Sequence, residues 1–582
     1  MSAWPGTVVS AMVRDSRLLL VIAVAVGLWV PLARLDWFLG HEQASYVLRT
    51  VEWAVEMRAG ELYPRWCPDF YGGYGSPFFV FHGPVIYGLA GILSATFLDP
   101  FWALKLVVLL GSLLAGVGTY ALVFGETRDR DSALLGSVAY LAAPYRLGDL
   151  YDRGDLGEFV CIALLPVVIA LYRAVVHEAL PRRAQWFAVA AAVAHATMIM
   201  THPVMGLWGT VVIGLIVLCS VVRFAVRRSF RRALLLVSAM ACAPGLAGLY
   251  IVPAMAYRGI THTALMVTGV YNPLDHWLTF DTLFARSTPS FPRNFMRIGP
   301  LFTVALVAAL VGLAVNPRRA WQALPWLSLG AMLVFLVLPQ GNAFWAPHGV
   351  PLAPFIQFPW RLLGPAALMA GMGLAIGTAT AWERARDASK HGLAILGAAL
   401  LLFVVAWPYA SAKEMPVDKV PLDAESIRQA MVSTAAADEY LPIETAVPPT
   451  EPPRALVAKS DGAAVEYANS VGSHHLLALR AERDGALVGL ALHGFPGWSV
   501  KTLAGPAGAQ AQLETDEHGH LRLRLPASGA YRLRLWLGMS RASALGASLS
   551  LFTLLVLGVI LVHSSRPWPW RLPVQGPRGN VT

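Results

Sequence analysis

The first polar stretch of the chain reads Leu35-Asp-Trp-Phe-Leu-Gly-His-Glu-Gln, and it sets Asp36, His41 and Glu42 between an apolar segment and a helical pattern. A carboxylate near a helix N-terminus is favoured in its ionised form. Beside an acceptor hydroxyl or amine it can serve as a general base. Glu42 is the first candidate for that role, with His41 next to it and Asp36 or Asp69 as alternatives. From Glu42 to Arg58, Ala44, Val47, Leu48, Val51, Ala54 and Val55 recur at helical spacing, and Glu42, Tyr46, Arg49 and Glu56 project from the other side. Such a helix can lie in a membrane interface with its apolar stripe down. An ordinary surface helix with a solvated charged face has the same pattern.

Three further stretches carry polar groups suited to a ligand. In Gly60-Glu-Leu-Tyr-Pro-Arg-Trp-Cys-Pro-Asp-Phe-Tyr-Gly-Gly-Tyr-Gly, the density of Gly, Pro and aromatics predicts a structured loop. Arg65, Asp69 and Tyr71 there could face a sugar or lipid head group, or the loop could be an interfacial aromatic belt. In Tyr145-Arg-Leu-Gly-Asp-Leu-Tyr-Asp-Arg-Gly-Asp-Leu-Gly-Glu, the guanidiniums of Arg146 and Arg153 suit phosphate. Asp149, Asp152, Asp155 and Glu158 could hold sugar hydroxyls or a divalent cation such as Mg or Mn, or simply pair with the arginines. His202, in Thr201-His-Pro, is a structural or a positioning residue. Asp275-His276 follows later, and Gln357-Phe-Pro-Trp-Arg sets Gln357 and Arg361 at the start of an apolar segment. Arg361 there can bind a lipid-linked phosphate or snorkel to ordinary head groups. The chain has no P-loop, GxSxG or HExxH motif, so nothing supports a nucleotide-driven pump, a serine hydrolase or a zinc protease.

The elements that position these groups must be membrane helices. The 582 residues are 56% hydrophobic and 14% charged, whereas soluble domains carry about a quarter charged residues. Apolar segments lie near 18–35, 84–99, 101–124, 132–144, 158–175, 187–203, 204–224, 233–253, 298–315, 321–338, 360–381, 392–410 and 543–563. The first reads as an uncleaved helix, since no small-residue cleavage site follows it. If every segment crossed, Arg182-Arg183, the arginines of 223–232 and Arg318-Arg319 would lie outside, against the positive-inside bias. Demoting segment 84–99 repairs every loop at once. It rises about 24 Å, short of a roughly 30 Å hydrocarbon core. About twelve spans then remain, with both termini and the Arg-rich loops cytoplasmic and the acidic loops outside. The net charge of +10 is this cytoplasmic bias, with no nucleic acid implied. Cys67, Cys161, Cys219 and Cys242 form no CxxC pair, so neither a disulfide framework nor a zinc site is indicated.

The expected organisation is mainly α. A polytopic bundle over 1–410 carries an outer loop, 36–100, with juxtamembrane helices at 42–58 and 84–99. Residues 411–540 read as a small extracytoplasmic β-sandwich, because runs such as Leu521-Arg-Leu-Arg-Leu alternate with period two. Residues 541–582 supply a final span and a cytoplasmic tail.

This arrangement resembles the membrane-embedded GT-C glycosyltransferases. More closely, the chain is similar to bacterial membrane proteins described as 6-pyruvoyl-tetrahydropterin synthase-related. The matching residues are His41-Glu42 with Arg49, Gly60-Glu-Leu-Tyr-Pro-Arg-Trp, Gly72-Gly-Tyr-Gly-Ser-Pro-Phe-Phe, Tyr145 to Gly154, Thr201-His-Pro, Gln357 to Arg361, Glu439-Tyr-Leu-Pro and Phe495-Pro-Gly-Trp. Pterin synthase itself is a soluble enzyme with a histidine-bound zinc, and no such cluster stands here. The GT-C resemblance implies transfer of a sugar from a polyprenyl-phosphate donor at the outer face of a bacterial inner membrane, with a first-loop acid as base. An envelope glycan, lipid or protein would be the acceptor. Where the family is expected to have His-Asp, this chain has His41-Glu42, and Tyr46 replaces a common second His. The rival readings are a transporter or flippase for lipid-linked glycans, which predicts charges at mid-membrane depth, and a non-enzymatic assembly factor.

Overall fold

The computed structural model describes residues 15–284, 296–345, 355–382, 388–411, 413–416, 420, 422–430, 438–445, 451–453 and 455–565. Arg384, Arg386, Asp418, Lys419 and the tail beyond Ser565 lie outside these residues. The helices that matter to the site are α1 (Ser16–Arg34), α2 (Gln43–Arg58), α3 (Pro84–Thr96), α4 (Pro100–Thr127), α5 (Arg130–Leu141), α6 (Leu156–His177), α7 (Pro181–Ile199), α8 (Pro203–Val226), α9 (Phe230–Leu246), α10 (Gly248–Tyr257), α11 (Leu301–Val315), α12 (Leu324–Phe335), α13 (Leu363–Trp382), α14 (Ala388–Ala406) and α15 (Arg541–Ser565).

Among the described residues, seven helices are long and apolar enough to cross a membrane, or up to nine if two bent pairs each count as one span. That is fewer than the expected twelve. The difference lies in short or polar-ended elements. α5 has 12 residues and α11 has 15, which at 1.5 Å per residue rise about 18 and 23 Å. α9 and α10 bend by 60° at their junction. At one end of the bundle Arg173 pairs with Glu126 at 2.5 Å, Arg232 donates to the Val175 carbonyl and Arg319 to the Thr127 carbonyl. Arg17 pairs with Asp131 nearby at 2.7 Å. The Arg-bearing turns thus meet at the end of α4 and α6 opposite Asp155.

Small residues set the tightest helix contacts. A Cβ on Gly377 of α13 would stand 2.6 Å from the Ala308 backbone of α11, so only glycine lets these helices approach so closely. Likewise a Cβ on Gly91 of α3 would meet the Trp53 ring of α2 at 2.3 Å. Arg58 at the end of α2 also donates to the Ser94 carbonyl of α3 at 2.8 Å. α3 is therefore the bed on which α2, the helix opened by Glu42, is held.

A two-stranded ribbon pairs β1 (Trp37–Leu39) with β2 (Lys413–Met415), tying the entry of the first loop to the segment after α14. The β-sandwich follows, with strands β3 (Val457–Asp461), β4 (Ala463–Val471), β5 (His474–Ala481), β6 (Ala486–His493), β7 (Trp498–Ala504), β8 (Gln512–Thr515), β9 (His520–Leu525) and β10 (Gly529–Leu537). They form two four-stranded antiparallel sheets, ordered β4-β5-β10-β7 and β3-β6-β9-β8. The period-two pattern works as read: Leu521, Leu523 and Leu525 point into the core with Leu533 and Leu535, while Arg522 and Arg524 turn outward onto Glu514. The sandwich rests on the first loop. Arg65 donates to the Gly538 carbonyl at 2.8 Å, and His493 N–H donates to the Tyr74 carbonyl at 2.9 Å.

Candidate functional site

Two helix starts build the site. Asp155 is the N-cap of α6, its Oδ1 accepting the Glu158 N–H at 2.9 Å. His202 is the N-cap of α8, its Nδ1 accepting the Met205 N–H at 3.0 Å. An N-cap acceptor satisfies an otherwise orphaned donor, so each side chain is fixed by its own helix. With Nδ1 used as acceptor, the neutral His202 ring carries its proton on Nε2, 3.5 Å from Asp155 Oδ2. The first loop is latched to the same place. The N–H groups of His41 and Glu42 both donate to the Arg153 carbonyl, at 2.9 and 3.2 Å.

Arg153 is the hub of the charge cluster. Its Nη1 donates to Glu158 at 2.6 Å and Asp149 at 3.2 Å, and its Nη2 lies 2.9 Å from Asp155 and 3.8 Å from Glu42. Arg361 adds Nε at 3.0 Å from Glu158 and Nη2 at 3.8 Å from Asp155. Tyr145 donates to Glu158 and Tyr46 donates to Asp155. Burial alone would raise the Asp155 carboxyl, but Arg153, then His202 and Arg361, hold it well below the usual carboxylate range. Asp149 goes the other way: burial and the Glu158 charge raise it well above that range, outweighing Arg153. Glu42 is also raised, by enclosure in the cleft and by Asp155, against the pull of Arg153 and Arg49. Four carboxylates against two guanidiniums thus resolve into a fixed anion at Asp155 and two acids that hold protons more readily.

Beside the cluster opens a cleft of about 260 Å³. Of the residues singled out by sequence, Glu42, His202, Gln357 and Arg361 line it, with Asp155 at its floor. Gln357 sits at φ 60°, a left-handed backbone rare outside glycine and often retained at functional sites. It turns the chain so that Phe358 stacks on Trp360 at 4.4 Å, with Arg361 5.2 Å from the Phe358 ring. Arg153, Asp149 and Glu158 lie behind the wall, where they set its charge. The remaining candidates are elsewhere. The Asp36 N–H donates to Glu414 next to the ribbon, and Arg65 serves the sandwich. Asp69 pairs with Arg428 at 2.7 Å. Arg146 is buried between the rings of Tyr140 and Phe159, at 4.9 and 4.5 Å. His41 and Asp152 do not line the cleft.

The cleft also contains residues to which the sequence reading gave no role: Arg49 and Tyr46 from α2, His82, Tyr271, Glu439 and Tyr440. Positions 42, 46 and 49 share one helical face, so the signal for the first two was present. Glu439 and Tyr440 arrive from far along the chain, marked in sequence only by the Glu439-Tyr-Leu-Pro resemblance.

Asp155, Glu158 and His202 offer ligand atoms within 4.8 Å of one another. They do not fit a divalent cation as they stand. Asp155 Oδ1 accepts from Tyr46 and from the Glu158 N–H, and its Oδ2 faces Arg153. Glu158 is taken by Tyr145 through one oxygen and by both guanidiniums through the other. A metal here would lie among two arginines, with His202 Nε2 turning its proton toward Asp155, while hard cations take several oxygen ligands.

Comparison with known proteins gives a broad picture. The apo oligosaccharyltransferase of Archaeoglobus fulgidus aligns with a TM-score of 0.45 at 14% identity, over 74% of this chain and 61% of that one. The arabinofuranosyltransferase AftD from Mycobacteria aligns at 0.41 and 17% identity, over 68% and 27%. The arabinosyltransferase EmbB of Mycobacterium smegmatis aligns at 0.35 and 10% identity, over 91% and 63%. The chain spans 57 to 61% of the length of the oligosaccharyltransferase structures it matches first. No curated protein matches its sequence. Residues 79–412, more than half of the chain, match the family described as "6-pyruvoyl-tetrahydropterin synthase related domain; membrane protein", and the chain belongs to that family.

Proposed function

We propose that this protein is an inverting membrane glycosyltransferase that takes a sugar from a polyprenyl-phosphate donor. The acceptor would be an envelope glycan, lipid or protein at the extracytoplasmic face. The observation that carries this reading is the state of Glu42. Of the cluster carboxylates that line the cleft, Glu42 is the exposed one, at 40% against 2% for Asp155, and its one cation contact among the described residues is the long one of 3.8 Å to Arg153. Asp155 and Glu158 are each held by shorter contacts. A raised, accessible carboxylate facing a polar cleft is what a base for a hydroxyl requires.

In this reaction the acceptor hydroxyl oxygen bonds to the anomeric carbon and the bond from that carbon to the phosphate oxygen breaks. The hydroxyl proton passes to Glu42, and polyprenyl phosphate leaves. His202 and Gln357 offer hydrogen bonds to sugar or acceptor hydroxyls, and Arg361 faces the negative charge of the donor. Arg153 holds the wall in register. The gathering of Arg-bearing turns at the opposite end of the bundle supports the sidedness, with the cleft outside and both termini in the cytoplasm of a bacterial inner membrane. The test is release of free polyprenyl phosphate from a pool of polyprenyl-phosphate sugars by purified protein. Wild type should release it and Glu42→Gln should not. Retained turnover in Glu42→Gln removes Glu42 from the mechanism.

A further inference from the structure

The cationic side chains around the cleft are not equivalent. Arg153 is spent on Asp149, Asp155 and Glu158, and Arg361 shares its charge with Glu158. Arg49 is different. It is 8% exposed, lines the cleft, and has no carboxylate within ion-pair distance among the described residues. Its Nε has no hydrogen-bond partner, and its Nη1 reaches only the Tyr87 hydroxyl at 3.4 Å. The guanidinium lies 4.2 Å from the centre of the Phe78 ring. His82 stacks on that same ring at 4.1 Å and 13°, and also faces the cleft. A guanidinium stays charged at any accessible pH, and a buried charge without a counter-ion is costly. A ligand anion is the natural counter-ion.

We propose that Arg49, backed by Phe78 and flanked by His82, is the phosphoryl subsite of the cleft. This rests on the transferase reading for its role but not for its existence. Burial, with the charge of Arg49, lowers the His82 imidazole well below its ordinary range, so it stays neutral and offers one N–H donor beside the guanidinium. The spacing along α2 also suits the reaction. Glu42 and Arg49 are seven residues apart on one face, about 10 Å along the axis. Both side chains line the same cleft, so a base and a phosphate-binding cation flank one space. As the anomeric carbon–oxygen bond breaks, its electron pair goes to the phosphate oxygen, and Arg49 meets the charge that gathers there. One helix thus carries both ends of the reaction.

The test is titration of detergent-purified full-length protein with decyl phosphate, inorganic phosphate and decanol, read by calorimetry. Wild type should bind decyl phosphate and not decanol. Arg49→Gln should weaken decyl phosphate about 10–100-fold, the worth of a hydrogen bond to a charged group. Arg49→Lys, which keeps the charge but loses the planar fork, should weaken it about tenfold, and it carries the test if the glutamine variant does not fold. Binding of inorganic phosphate with the same dependence on Arg49 supports the subsite and assigns it to phosphate itself rather than to lipid. A wild type that binds neither phosphate overturns the subsite, as do variants that bind within twofold of wild type. If phosphate binding depends on Arg49 but no polyprenyl-phosphate sugar is ever turned over, the subsite stands and the transferase reading falls.

Discussion

The two ends of α2 carry the same side chain in opposite surroundings. At the N-terminus Glu42 faces an open cleft, within reach of the Arg153 guanidinium. At the other end Glu52 and Glu56 are fully buried against the first loop and the sandwich, with no ion pair to a guanidinium among the described residues. Glu52 accepts the Asp69 N–H at 3.0 Å, and burial with the Asp69 charge raises it well above the usual range. Glu56 accepts the Ser473 hydroxyl at 2.7 Å and is pushed up to about 7, chiefly by burial and against the bonds from Ser473. A carboxylate next to guanidiniums is a charge available for chemistry. A carboxylate sealed against hydroxyls and amides is a clasp that keeps its proton to higher pH. The difference lies in the neighbours, and it divides one helix into a working end and a docking end.

Breaking the working end gives the largest effects. Glu42→Gln should cut transfer by about 10²–10⁴-fold while leaving the melting temperature within a degree or so, as judged by turnover and thermal unfolding of the same preparation. Glu439→Gln, on the facing wall, is the matched control: an equal loss there would make Glu439 the base. Removing the hub, Arg153→Met, strands buried carboxylates and should cost about 3–5 kcal/mol of stability, seen as loss of folded protein on size-exclusion chromatography.

The docking end responds differently. Gly91→Val forces a side chain into the Trp53 ring and should cost about 1–3 kcal/mol, with turnover falling only as far as α2 is displaced. The folded-state value of Glu56 lies above that of an unfolded carboxyl, about 4.3. The stability it contributes is therefore full below about pH 4.3 and is lost as the pH rises through about 7. Melting temperature should fall between pH 6 and 8, and Glu56→Gln should flatten that slope and gain about 1 kcal/mol or more at pH 8. The smallest expected effect is that of a chelator. With Asp155 and Glu158 occupied by guanidiniums and hydroxyls, excess EDTA should change turnover less than twofold, and a larger loss restored by Mg or Mn would reopen the metal question.

Much of this was legible in the chain. Charge asymmetry separated the acid-bearing turns from the Arg-bearing ones, and period-two alternation marked β9 and β10. His41-Glu42, Thr201-His202 and Gln357 to Arg361 carried enough local pattern to be set apart, and they come together in space. What misled was charge without burial. Arg146 and Arg153 look alike in sequence, yet one is wedged between rings and the other joins four acids. Arg65 and Asp69 carry the signature of a binding loop and are consumed by docking. Glu439 and Tyr440 stand out in sequence only within the Glu439-Tyr-Leu-Pro resemblance, with no role attached, and it takes tertiary folding to bring them to the cleft. Helix lengths among the described residues support seven to nine spans, because an apolar stretch in sequence does not show the bend between α9 and α10 or the shortness of α11.

The ribbon of β1 and β2 has a consequence for biogenesis. Next to it, Asp36 meets Glu414, 378 residues later in the chain, and the wall formed by Glu439 and Tyr440 is later still. During synthesis most of the helices must be inserted before the pocket can close. The segment from Asp149 to Glu158 meanwhile carries four acids against Arg153 alone, and Arg361, which shares Glu158 with it, is made much later. A nascent chain arranged this way holds an excess of acid in one early turn and gains the remaining counter-charge only as the binding surface is assembled last.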